Sequence, residues 1–168
     1  MMDQDVIKRF EENETRIKAL ERFVSKINKK EITSLHQSDK KENDLEKLAS
    51  EFATSTDKLN EIFDTEDNTL TVLKFNGNDF NEKTQAISLL VIFGYKYLLN
   101  QNNILAKELR RNIIENKIPV NNFATYIKEI SPSLIRKSGK PSSTKTTYKL
   151  TGLGESKARE LLHLLITG

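Results

Sequence analysis

The sequence predicts a mainly α-helical protein with one small β-hairpin near its C-terminus. Apolar residues recur at spacings of three and four through most of the 168 residues, which is the period of an amphipathic helix. The first 28 residues keep this spacing as heptads, and two neighbouring segments near the C-terminus alternate as strands do. Hydrophobic residues make up only 36% of the chain, so we expect one modest core with an attached arm.

Residues 1–28 are predicted to form a coiled-coil helix that oligomerises the chain. The apolar seam alternates steps of four and three residues and includes one polar position, Asn13, of the kind that sets register. The seam residues are Val6, Phe10, Asn13, Ile17, Leu20, Val24 and Ile27. The pattern fits a dimer or a trimer, and an amphipathic helix lying on its own domain is the alternative.

Residues 29–43 are polar and charged, as in a flexible linker, and regular structure is predicted to resume after them. One helix is expected first, and a second helix is expected to follow an N-cap in Thr54–Thr56 and to include Phe63. The alternating segment Leu70–Phe75 then predicts a strand followed by a turn. We expect residues 44–80 to pack, as a helical pair and a strand, on the domain that follows.

Residues 81–168 are predicted to form the main domain, in the order helix, helix, helix, strand, strand, helix. The first helix is apolar on nearly every face and should be the buried central helix. A polar, turn-rich segment joins the two strands, which predicts an exposed hairpin tip. Gly152 and Gly154 are expected to separate the hairpin from the last helix. The predicted bounds are 82–100, 104–116 and 121–130 for the first three helices, 134–137 and 146–151 for the strands, and 155–166 for the last helix.

Positive charge is concentrated in the C-terminal part of the chain, although the net charge is only +3. Residues 101–168 contain 12 basic and 5 acidic side chains, a net charge of +7, whereas the first hundred residues have a net charge of −4. No acidic residue occurs from Ile130 to Gly154, the stretch that contains the predicted hairpin. Such a stretch is typical of a surface that binds a polyanion, and a solvated loop is the alternative.

The residues that most enzymes and metal sites need are scarce. The absence of cysteine excludes disulfides, cysteine-ligated metals and thiol catalysis. No phosphate-loop, zinc-protease, nucleophile-elbow or dinucleotide-binding motif occurs, and His163 is expected to pack among leucines. We therefore expect no enzyme activity, no cofactor and no metal. The longest apolar run, Ile87–Tyr95, is too short to cross a bilayer and the N-terminus is charged, so we expect a cytoplasmic protein with no membrane partner.

The element order of residues 82–166 and the segment TYKLTGLGESKARELL, residues 147–162, resemble the winged helix-turn-helix domain of many bacterial and archaeal regulators. The resemblance implies that the third helix lies in the major groove of DNA and that the hairpin, or wing, follows the phosphate backbone. It also implies that basic and polar residues outside the apolar stripes contact DNA. These residues are Lys107, Arg110, Arg111, Asn121, Asn122, Thr125, Lys128, Arg136, Lys137, Lys140, Ser142, Ser143, Thr144 and Lys145.

Asparagine and lysine on the third helix can bond to base edges, whereas basic wing residues contact phosphates. That helix lacks arginine, which favours modest specificity or AT-rich DNA, and Glu108 and Glu129 depart from the pattern because each would repel phosphate. The sequence therefore predicts a homo-oligomer that binds duplex DNA, either as a transcriptional regulator or as a nucleoid-associated architectural protein. The alternative is a winged-helix module for protein docking, which has no need of an acid-free wing.

Overall fold

The computed structural model describes residues 44–139 and 145–168, together with the single residue 21. The rest of the predicted coiled coil, the predicted linker and the hairpin tip lie outside the described residues. The described helices are α1 (residues 44–51), α2 (Thr56–Asn60), α3 (Phe80–Leu98), α4 (Ala106–Glu115), α5 (Phe123–Ile130) and α6 (Gly152–Thr167), and the described strands are β1 (Phe63–Glu66), β2 (Thr69–Val72), β3 (Ile104–Leu105), β4 (Ile135–Ser138) and β5 (Thr147–Leu150). This part of the chain therefore combines helices with two small antiparallel sheets, of which the sequence predicts only one.

Helix α3 is the buried central helix, as its apolar sequence predicts. The Asp79 side chain caps its N-terminus by accepting a hydrogen bond from the Glu82 backbone N–H at 2.8 Å. Every residue from Ala86 to Tyr95 is buried, because α4, α5, α6 and β2 all pack on this helix. The other elements of the domain are thus positioned by their contact with α3.

Strands β1 and β2 form a hairpin that the sequence predicts only in part. The two turn residues, Asp67 and Asn68, have φ values of 45° and 59°, as in the primed turns that connect tight hairpins. The prediction that Phe63 belongs to a helix is wrong, because α2 ends at Asn60 and Phe63 pairs with Val72. Both Phe63 and Val72 are buried, so the strand conformation brings two apolar side chains onto the core face.

The second sheet has the strand order β3-β5-β4, and its first strand was not predicted. Strand β3 pairs with β5 over only two residues, directly before α4. Because these residues are extended, α4 begins at Ala106. Its N-cap is Leu105, so the helix begins two residues later than the predicted residue 104.

The predicted C-terminal hairpin is confirmed as the antiparallel pair β4 and β5. The prediction that Gly152 and Gly154 separate this hairpin from the last helix is wrong, because both residues lie in the first turn of α6. A Cβ atom at Gly154 would lie 1.8 Å from the Leu134 carbonyl oxygen. Only glycine therefore allows α6 to begin directly against the base of the hairpin.

A single core joins residues 44–80 to the rest of the unit Asn43–Gly168. Leu48 of α1 and Leu59 of α2 are buried in the same cluster as α3 and as Leu162 of α6. The expectation that His163 packs among leucines is wrong, since His163 is exposed on α6. In this part of α6 the buried face is formed by Leu162, Leu165 and Ile166, which follow the helical spacing.

Candidate nucleic-acid interface

Helix α5 has one apolar face and one polar, exposed face. Phe123, Ile127 and Ile130 are buried, as their spacing predicts, and they fix the rotation of the helix against the core. The predicted groove-contacting residues are all exposed: Asn121, Asn122, Thr125 and Lys128. Asn122 is the N-cap, and its side chain donates a hydrogen bond to the Tyr126 hydroxyl at 3.3 Å instead of capping the helix. The exposed face of α5 thus carries amide and hydroxyl groups, one cation and the carboxylate of Glu129.

The β4–β5 hairpin places two cations directly opposite each other. Arg136 and Lys149 are register partners in the antiparallel pair, and both side chains are exposed. Side chains in this relation have Cβ atoms about 5 Å apart, where like charges repel. Neither forms an ion pair with any residue that the structure describes. The Arg136–Lys149 pair therefore carries positive charge that no carboxylate among the described residues compensates.

Two further lysines lie on the hairpin. Lys137 is exposed and lies opposite Tyr148, so it is on the other face of the hairpin from Arg136 and Lys149, and Lys145 is exposed two residues before β5. Burial raises the pKa of Tyr148, and the charge of Arg110 acts in the opposite direction. The other predicted residues of the hairpin, Lys140, Ser142, Ser143 and Thr144, lie outside the described residues.

Lys107 and Arg110 of α4 are exposed, as predicted. The Lys107 Nζ atom lies 3.7 Å from a carboxylate oxygen of Glu108. The Arg110 guanidinium lies 4.9 Å from the centre of the Phe123 ring, a cation–π contact that connects α4 to the start of α5. Arg110 is thereby held beside α5 while its charge stays at the surface.

Arg111 contradicts the prediction that it points outward with Lys107 and Arg110. Its side chain is partly buried and donates a hydrogen bond to the Leu70 carbonyl oxygen at 2.9 Å. It also forms ion pairs with Glu108 at 3.2 Å and with Glu115 at 3.0 Å. Arg111 therefore joins α4 to β2, and the positive surface of α4 is reduced to Lys107 and Arg110.

The two acidic residues that depart from the DNA-binding pattern are both bonded to other side chains. Glu108 accepts a hydrogen bond from the Tyr95 hydroxyl at 3.3 Å, and burial raises the pKa of Tyr95. Glu129 accepts hydrogen bonds from Asn81 at 2.7 Å and from Gln85 at 3.0 Å, both on α3. These bonds turn both carboxylates toward partners within the domain.

A buried asparagine that the sequence analysis missed joins α4 to the first hairpin. The side chain of Asn112 is fully buried, accepts a hydrogen bond from the Val72 N–H at 2.8 Å and donates one to the Leu70 carbonyl at 2.9 Å. Asn116 donates to the Val72 carbonyl at 2.9 Å, and the Tyr95 hydroxyl accepts a hydrogen bond from the Leu70 N–H at 3.4 Å. These side chains satisfy the edge of β2 that faces away from β1. The one signal in the sequence was an asparagine on the inward stripe of a helix.

A second charged cluster, also unpredicted, joins α6 to α1 and α3. Arg159 forms ion pairs with Glu51 and with Glu155, and Glu155 accepts a further hydrogen bond from Lys96. Three aromatic rings surround the Arg159 guanidinium, those of Phe52 at 5.8 Å, Phe93 at 5.5 Å and Tyr97 at 5.1 Å. The hydrogen bonds that Lys96 and Tyr97 donate hold the pKa of Glu155 below its ordinary value. Each cation of this cluster has a carboxylate partner.

Two open clefts lie elsewhere on the domain, with volumes of about 360 and 420 Å³. The first includes Lys47 and Lys96, the second includes Leu89 and Leu161, and neither contains a histidine. Among residues 44–139 and 145–168, no group of three or more histidine and acidic side chains is placed to hold a metal ion. In the same ranges, no helix is both long enough and apolar enough to cross a bilayer.

Comparison with known proteins found no protein-family model, no curated protein and no solved structure that matches this chain. The functional argument therefore depends on the geometry and the charges of the domain.

Proposed function

We propose that this chain binds duplex DNA through a winged helix-turn-helix domain formed by residues 81–168. In this proposal α5 lies in the major groove and the β4–β5 hairpin is the wing that contacts the phosphate backbone. Residues 1–28 oligomerise the chain as a coiled coil, so that several domains bind one DNA molecule. The role is that of a transcriptional regulator or a nucleoid-associated architectural protein.

The arrangement of elements supports this proposal. The order on which the resemblance depends occurs as α3, α4, α5, the β4–β5 hairpin and α6. Phe123, Ile127 and Ile130 attach α5 to the core by one face only, so its other face is available to a groove. The contact of Arg110 with Phe123 adds a cation at the start of that helix.

The observation that carries the proposal is the opposition of Arg136 and Lys149 without a carboxylate partner among the described residues. Repulsion between these side chains costs free energy in the isolated domain, and phosphate oxygens between or beside them convert it into attraction. The pair lies in the acid-free stretch Ile130–Gly154. The partly buried cations Arg111 and Arg159 have carboxylate partners, whereas the two exposed cations of this hairpin pair have none among the described residues. In this proposal an external polyanion supplies the partner that the described part of the chain does not give to the hairpin pair.

The exposed face of α5 supports modest sequence preference. Asn121 can bond to an adenine edge, and the methyl groups of Ala124 and Thr125 suit contact with the thymine methyl group. Lys128 can reach a guanine acceptor or a phosphate. Since no arginine lies on this face, we expect a preference for A·T pairs that is small compared with the contribution of phosphate contacts.

The test is a titration of the full chain against a random-sequence fluorescent duplex at about 50 and 200 mM salt. We expect binding that weakens steeply with salt. Lys149→Glu is expected to weaken binding to all sequences alike and to lower the slope of log affinity against log salt by about 1 for each phosphate that the variant no longer neutralises. The matched control is Lys47→Glu, which changes the net charge equally but lies on α1 beside Asp44.

The outcomes separate the two classes of function. Absence of binding by the wild-type chain at low salt contradicts the proposal and favours protein docking, for which a pull-down is the next measurement. If Lys149→Glu binds DNA as well as Lys47→Glu does, the hairpin is not the phosphate-binding element.

A further inference from the structure

Helix α6 has an exposed stripe that its own domain does not cover. Leu153 is 68% exposed and Leu164 is 51% exposed, although leucine is usually buried. Lys157 and Glu160 lie between them and are also exposed. At 100° per residue, all four side chains fall within a sector of about 60° on the face opposite the buried residues of the helix.

The order of this stripe is complementary to itself when it is reversed. The steps between Leu153, Lys157, Glu160 and Leu164 are four, three and four residues, the spacing of a coiled-coil seam. In an antiparallel pair of such helices, the first position faces the fourth position of the partner and the second faces the third. Leucine then meets leucine at both ends, and lysine meets glutamate in both central layers. A parallel pair would instead place lysine against lysine and glutamate against glutamate.

We propose that α6 pairs with α6 of a second copy of the chain in an antiparallel, two-fold symmetric arrangement. Each contact in the pair then occurs twice, as an isologous interface requires. Within one chain Lys157 Nζ lies 3.0 Å from Glu160, and in the pair both groups also face the opposite charge of the partner. None of these four residues belongs to the proposed DNA interface, and the pairing does not depend on DNA binding.

The stripe is small, so this association is weak by itself. Four side chains per copy bury much less than the roughly 1,200 Å² of a stable interface. The two exposed leucines gain from burial, whereas the partly solvated lysine–glutamate layers mainly select the antiparallel orientation. The pair therefore forms where copies are already concentrated. Because a weak pair dissociates during a measurement of molecular mass, cross-linking is the better test.

The chain contains no cysteine, so single cysteines can report the orientation directly. We would prepare Leu153→Cys and Leu164→Cys in the full chain, oxidise each variant alone and in an equal mixture, and measure disulfide-linked dimer on a non-reducing gel. In the antiparallel pair position 153 faces position 164 of the partner, while two 153 positions are about 16 Å apart along the axis, beyond the reach of a disulfide. We expect several-fold more dimer in the mixture than in either variant alone.

The control mixes Leu164→Cys with Asn60→Cys, an exposed position on α2 that measures collisions between copies held together by any other contact. Equal cross-linking in this control and in the test mixture contradicts the pairing. If each single variant forms disulfide-linked dimer alone, and the mixture forms no more than the single variants do, the antiparallel orientation is contradicted.

A charge reversal provides a second measurement. It is introduced into both the Leu153→Cys and the Leu164→Cys chains, which are then mixed and oxidised as before. Lys157→Glu places glutamate against glutamate in both central layers and should lower the yield of the mixed dimer. The double change Lys157→Glu with Glu160→Lys restores opposite charges and should restore the yield. Loss of dimer in both variants contradicts the proposed facing of these residues.

Discussion

Two groups of basic residues in this domain differ in the partners that the fold provides. The first group is partly buried and bonded to carboxylates: Lys96, Arg111 and Arg159. The second group is exposed and has no ion pair among the residues described: Arg110, Lys128, Arg136 and Lys149. A cation with internal partners stabilises the fold, whereas a set of cations without them is available to an external anion. Arg110 and Arg111 are neighbours in sequence and belong to different groups, so the partner of a charge is more informative than its position.

The largest effect is expected from Arg159→Met. The change removes the contacts with three aromatic rings and leaves Glu51 and Glu155 without this cation. Because the side chain is partly exposed, we expect a decrease of about 2 kcal/mol in the free energy of unfolding, less than for a fully buried pair. Urea unfolding measures the decrease, and DNA affinity should not change. A decrease in DNA affinity without a decrease in the free energy of unfolding would mean that Arg159 contacts DNA and does not stabilise the fold.

The next effect compares Arg110→Ala with Arg111→Ala. Removal of Arg111 breaks the hydrogen bond to the Leu70 carbonyl and two ion pairs, so we expect a decrease of about 1.5 kcal/mol in stability with little effect on DNA affinity. Removal of Arg110 should weaken DNA binding by about 1 kcal/mol and change stability less. Unfolding and DNA titration of both variants test the distinction, and equal behaviour of the two would abolish it.

A smaller effect with the opposite sign is expected for Lys149→Glu. The new glutamate faces Arg136 across the hairpin, so repulsion becomes attraction and the free energy of unfolding should rise by about 0.5 kcal/mol. The same variant should bind DNA more weakly. Lys149→Gln removes the repulsion without adding attraction. Its free energy of unfolding should therefore lie between that of the wild-type chain and that of Lys149→Glu. A decrease in stability would mean that the opposed cations are not a cost to the fold.

The smallest effect is a pH dependence from Glu155. Its pKa is lower in the folded chain because Lys96 and Tyr97 donate hydrogen bonds to the carboxylate. The stabilisation is therefore fully present above the ordinary pKa of 4.5 and disappears as the pH falls through the lower folded value. We expect the stability difference between the wild-type chain and Glu155→Gln to shrink over that window in unfolding measurements. A constant difference would contradict the assignment.

The parts of the fold that follow from regular spacing were predicted from the sequence. Helix α3 and the β4–β5 hairpin are examples, because long apolar or alternating segments specify them locally. Strand β1 was missed because Phe63 is the only large apolar residue among its four positions, and Asp67–Asn68 is a weaker turn signal than a pair with glycine. Strand β3 has two residues, too few for any periodic signal.

The environment of the candidate site was less predictable, because it depends on contacts between distant residues. The helical stripe explains why Phe123 and Ile127 are buried and why Thr125 and Lys128 are exposed. Nothing local indicates that Arg111 bonds to Leu70, which lies about forty residues earlier in the chain. Hydrogen-bond partners of this kind are set by tertiary packing, which a single sequence does not reveal.

The contact between α4 and the edge of β2 has a geometric consequence for the hairpin turn. Asn112 and Asn116 are four residues apart, about 6 Å along a helix, and Leu70 and Val72 are two residues apart, about 6.6 Å along a strand. These near-equal lengths let one side of a helix follow every second residue of a strand. One extra residue in the turn would shift β2 by one position and bring the backbone of Thr71, which pairs with β1, to the position of Val72. The length of this turn is therefore set by the repeat distance of a helix more than forty residues away.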